Sequence, residues 1–125
     1  MLPPVATFPE YTEMWYNQTL DHFRYTLPRA KFQQRYLFND NNWDGRGMLR
    51  NGCPGPILFY TGNEGPIEGF WAATGFMSQK LAPKWGALLV HAEERYYGAS
   101  LPFGNASFSA ANIPFLTTEQ ACPNR

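Results

Sequence analysis

Two short runs of uninterrupted apolar residues, 57–60 (Ile-Leu-Phe-Tyr) and 87–92 (Ala-Leu-Leu-Val-His-Ala), set the strongest limit on the fold of this chain. Such runs suit strands covered on both faces, as in parallel sheets. Between them Ile67, Phe70, Trp71, Thr74, Met77 and Leu81 recur at helical spacing. Pro66 suits a first helical turn, Glu68 complements the positive end of the helix, and Pro83 marks its expected end. A strand, a crossover helix and a second strand of this length predict a right-handed parallel βαβ unit.

Upstream, 15–23 reads as a strand on Trp15, Tyr16, Thr19 and Phe23. A turn at Leu27-Pro28-Arg29 leads into 32–39, which alternates with Phe32, Tyr36 and Phe38 on one face. The two strands are expected to pair as an antiparallel hairpin. The Asn, Asp and Gly of 40–55 predict a long surface connection. Near the end, a short helix is expected from about Pro114, capped by Thr117 or Thr118 with Glu119 in its first turn. Residues 1–14 are expected to form a loose segment, and 15–125 a single α/β piece.

At 44% hydrophobic and 17% aromatic residues the chain is too apolar for disorder. Ten basic and ten acidic residues cancel, so there is no field to steer nucleic acid or anionic membrane. No apolar run reaches the roughly 18 residues of a membrane span, and 1–9 do not read as a signal peptide. Cys53 and Cys122 match no metal spacing and read as two unrelated thiols. The sequons at Asn17 and Asn105 are glycan acceptors by pattern, at a frequency chance nearly supplies.

Chemistry is expected where the two buried strands end, because ligands of open α/β sheets bind outside the carboxyl ends of strands. The first turn is Thr61-Gly62-Asn63-Glu64-Gly65. Its glycines allow close approach to the main chain, and its place fits the loop that donates a backbone N–H to an oxyanion hole. A plain strand-to-helix turn accounts for the same five residues. The second turn, Glu93-Glu94-Arg95-Tyr96-Tyr97-Gly98-Ala99-Ser100, reads as scaffold around the site, with Arg95 free to bind carbonyls or carboxylates and Gly98 reversing the chain.

Leu20-Asp21-His22-Phe23, Phe32-Gln33-Gln34-Arg35-Tyr36, Phe59-Tyr60-Thr61-Gly62-Asn63-Glu64-Gly65, Glu94-Arg95-Tyr96-Tyr97-Gly98, Ser100-Leu101-Pro102-Phe103-Gly104 and Phe115-Leu116-Thr117-Thr118-Glu119-Gln120-Ala121 follow in order from about residue 15 to 121. Together they resemble the family of lysosomal Pro-X carboxypeptidase, dipeptidyl peptidase II and thymus-specific serine protease. The resemblance implies an α/β-hydrolase fold of which this chain holds the N-terminal part, without the nucleophile elbow and the cap. It implies a lysosomal or secreted serine exopeptidase that acts on proline-containing peptides, without a cofactor, and with a homodimer as one option for the intact protein. Asn63, flanked by Gly62 and Glu64, would then be the oxyanion donor, with Glu93, Arg95, Gly98 and Ser100 as structure around it.

No triad is legible within the chain. Gly98-Ala99-Ser100-Leu101-Pro102 has Pro102 where an elbow needs its second glycine, and His22 and His91 precede the place of the serine. His91 reads as a hydrogen-bonded core residue and His22 as structural, and no metal cluster or phosphate loop is present. Two other readings stay open: a short non-catalytic binding protein, and another hydrolase such as an esterase.

Overall fold

The computed structural model describes residues 9–122. The expected loose opening lies largely outside them. Strand β1 (Thr12–Thr19) pairs antiparallel with β2 (Lys31–Asn39), joining Thr12 to Phe38 and Thr19 to Lys31 across the hairpin. Strands β3 (Ile57–Tyr60) and β4 (Leu88–Ala92) run parallel, and β4 also pairs antiparallel with β2. The result is one mixed sheet in the order β1-β2-β4-β3.

The crossover between β3 and β4 holds α1 (Ile67–Ala73), a wide π turn (Met77–Leu81) and α2 (Ala82–Trp85). Pro83 therefore does not end the helix. It sits in the first turn of α2, where a missing N–H costs little. Ile67, Trp71 and Ala82 pack on Leu37, Ala87 and Leu89 to form the core.

The face of β2 that carries Phe32, Tyr36 and Phe38 is partly covered, with Phe32 buried and the other two half-buried. Leu37, fully buried, joins the helix-side core from the opposite face, where its strand neighbours Arg35 and Asn39 are polar, so alternation does not announce it. One expectation is corrected: strand β3 is not covered on both faces, since Leu58 and Tyr60 face the helix while Ile57 is 60% and Phe59 42% exposed. β3 lies at the edge of the sheet, and among the described residues nothing shields that side.

Strand β1 starts three residues earlier and ends four earlier than the sequence suggested. Leu20 N–H closes the hairpin on Ala30 O, and Asp21 Oδ1 then accepts from Phe23 N–H to turn the chain away. Downstream of β4, 3₁₀ turns at Gly104–Ala106 and Ile113–Phe115 lead to α3 (Thr118–Ala121). Its cap is Thr117, whose Oγ1 accepts from Gln120 N–H.

Candidate active site

The carboxyl ends of β3 and β4 meet the C-terminal turn of the chain at a cleft of about 400 Å³. It is lined by Gly62, Asn63 and Glu64 of the first turn, Glu94 and Tyr97 of the second, and Leu116, Thr117, Thr118 and Ala121. Gly62 has φ +82°, and a Cβ there would stand 2.5 Å from Ala92 O and 2.8 Å from Glu94 N. Only glycine lets the loop lie this close to the end of β4.

Within the loop the backbone donors are not equivalent. Glu64 N–H is held by Asn63 Oδ1 at 2.8 Å, and Gly65 N–H by Asn63 O at 2.7 Å. Asn63 itself is exposed, and among the described residues its own N–H has no acceptor. Burial, then the nearby Glu64 and Glu94, push the Tyr97 hydroxyl above its ordinary pKa, which keeps it a neutral donor beside the loop.

Behind the cleft lies a buried ionic cluster. The Glu93 carboxylate, fully buried, accepts from Ser100 Oγ at 2.7 Å, Ala99 N–H at 2.9 Å and Ile67 N–H at 3.1 Å. It also accepts from Arg35 Nη2 at 2.6 Å and Nε at 3.3 Å. Arg35 reaches on to Glu68 through two bonds of 2.7 and 2.9 Å and to Glu13 at 3.3 Å. Burial works against the Arg35 charge, but the bonds to Glu93 and Glu68 outweigh it and hold its pKa above the ordinary value. Burial likewise opposes the charge on Glu68, yet backbone and Arg35 hydrogen bonds keep its carboxyl below the usual range.

Arg95 plays a different part. It is buried, donates to Thr19 O, Leu20 O and Phe115 O at 2.8–3.1 Å, and lies 5.3 Å over the Phe32 ring. It thereby ties the end of β1 to the turn before α3. Gln120 adds a second tie, donating to Asp21 Oδ1 and accepting from His22 N–H.

The sequence singled out Glu93, Arg95, Gly98 and Ser100, and the structure brings Glu93, Gly98 and Ser100 into one cluster with Arg95 alongside. Arg35, Glu68 and Tyr96 were missed. A charged residue inside the alternating strand 32–39 was the available signal for Arg35. Tyr96 holds a left-handed φ of +71° while its hydroxyl donates to Asn112 O at 2.6 Å, and nothing local in the sequence marks it. Ser100 Oγ is engaged by Glu93 and by Arg35 N–H, so it is not poised as a nucleophile. His91 bonds Thr74 instead of any serine. Asn17 and Asn105 are both exposed, and both cysteines are free and exposed. Among the described residues no group of acidic, His or Cys side chains is placed to hold a metal ion, and no helix is long and apolar enough to cross a membrane.

The family model described as serine carboxypeptidase S28 matches residues 18–123. The chain belongs to that family. Among S28 relatives, the lysosomal Pro-X carboxypeptidase of Bos taurus is 50% identical over 113 residues, covering 90% of this chain and 21% of the relative. The human protein of that name is 46% identical over 121 residues, covering 96% of this chain and 22% of its own length. Human thymus-specific serine protease is 35% identical over 119 residues, covering 95% and 21%. The chain thus spans about a fifth of the length of these curated S28 relatives.

Proposed function

We propose that this segment forms the oxyanion side of a serine-type exopeptidase that cleaves peptides next to proline, on an α/β-hydrolase frame. The observation that carries this reading is the Asn63 N–H, unspent on a cleft at the end of β3, while its neighbours' N–H groups are engaged. S28 membership and the likeness to Pro-X carboxypeptidases support the reaction class.

In such a reaction a serine attacks the scissile carbonyl, and a histidine takes its proton and passes it to the leaving amine. The carbonyl oxygen gains negative charge, which the Asn63 N–H would meet with a hydrogen bond stronger in the transition state than in the ground state. The serine, histidine and acid are expected outside the described residues, because Ser100 and His91 are committed to Glu93 and Thr74. The same likeness, to relatives named as lysosomal, supports a lysosomal setting.

The test is product analysis with the intact protein that contains this segment. Peptides with proline in the penultimate position are expected to lose a single C-terminal residue, and a serine-directed phosphonate to block the release. Hydrolysis of simple esters without peptide cleavage would overturn the reading in favour of an esterase.

A further inference from the structure

We propose that Glu93 is a positioning residue for the Asn63 loop, clamping its exit while the end of β4 braces its entry. The inference rests on the oxyanion reading above and extends it to a group that never meets the substrate. The loop enters at Gly62, packed against Ala92 O and Glu94 N, and leaves at Ile67, whose N–H donates to Glu93 Oε2 at 3.1 Å. Three consecutive residues, 92–94, thus fix both ends of a segment in which Asn63 lies one residue past the entry.

The carboxylate is built for this and for little else. It faces five donors: two from Arg35, one each from Ile67, Ala99 and Ser100. An ionised carboxylate only accepts, so none of the five meets a competing donor. An amide would turn its NH₂ against donors in either orientation. Gly98, at φ +53°, leaves room for the group: a Cβ there would fall 1.9 Å from Glu93 Oε2. A buried ion pair is weak evidence of stability in itself, since desolvation offsets its attraction. Its geometric product is what matters, because a misplacement of about 1 Å at a reacting centre can cost roughly 100-fold in rate.

The experiment compares Glu93→Gln, Asn63→Pro and Phe38→Ala in the intact protein that contains this segment, with kcat expressed per active site titrated by phosphonate. Phe38 is half-buried on the sheet face opposite Leu37 and Ile67, and its truncation destabilises by removing packing there. Glu93→Gln is expected to lower kcat by about 100-fold with KM within about twofold, since the loss falls on the transition state. Phe38→Ala is expected to keep kcat within about twofold of the parent. Should Glu93→Gln not fold, Glu93→Asp, which keeps the charge but withdraws the carboxylate, carries the same expectation. Normal kcat per site in the folded Glu93 variant overturns the clamp, and so does failure of both variants to fold, which would make Glu93 a requirement of the core. If Asn63→Pro retains full kcat, the oxyanion reading itself fails. If Asn63→Pro loses rate and the Glu93 variants do not, only the clamp fails.

Discussion

His91 shows how one buried side chain links the fold to pH. Its ring lies between Tyr60, stacked at 5.2 Å, and Trp71, edge-on at 4.6 Å, with Nε2 2.8 Å from Thr74 Oγ1. The Thr74 hydroxyl lies within reach of Phe70 O and Trp71 O, so its single proton goes to the helix backbone and the imidazole donates to it. Nδ1 is left as a buried lone pair without a partner, and a proton there would have nothing to bind. Burial accordingly pushes the His91 pKa down from 6.5 to about 4. At pH 7 the ring is neutral in both folded and unfolded chains. As pH falls from 6.5 toward 4, the unfolded chain takes up a proton that the folded one refuses, so stability drops by about 3 kcal/mol in all. Denaturant midpoints measured from pH 7 to 4.5 are expected to fall more steeply for the parent than for His91→Gln. Equal slopes would show that His91 does not titrate in this window.

At the scale of elements, the parts readable from sequence are those whose signal is local. The bounds of β3 follow from an apolar run ended by Thr61-Gly62, and the crossover helix follows from its own period. Thr117 was one of two caps proposed, and its hydroxyl takes the role. What stayed hidden was set by residues distant in the chain. The end of β1 depends on Arg95, some 75 positions away, which captures the carbonyls of Thr19 and Leu20. Arg35 meets Glu93 only because β2 lies antiparallel to β4, a pairing that no feature of 32–39 announces. Arg95→Met tests the first of these ties. It leaves three carbonyls without their charged donor, and since such bonds contribute about 1.5–3 kcal/mol each, stability is expected to fall by about 3 kcal/mol or more. Amide exchange is expected to rise at 19–22 and 113–121 together. A rise at one segment alone would mean that Arg95 does not join them.

For the whole molecule, the sheet is covered by the crossover helix on one face. On the other, Ile57 and Phe59 stand exposed beside half-buried Tyr36, Phe38, Leu88 and Val90. At one end of this sheet β3 delivers the 61–65 loop to the cleft, and the Glu93 carboxylate that follows β4 lies buried behind it, bonded to Ile67 N–H. On the proposed reading the loop acts through the backbone of Asn63, because an oxyanion needs a rigid N–H donor. The direct measurement is kcat on a proline-containing peptide for Asn63→Pro and Asn63→Ala in the intact protein that contains this segment. Asn63→Pro removes the N–H and is expected to lower kcat by about 100-fold or more. Asn63→Ala keeps the N–H, gives up only the side-chain bond to Glu64, and is expected to lose much less. Equal losses in the two variants would place the role in the side chain and contradict the account.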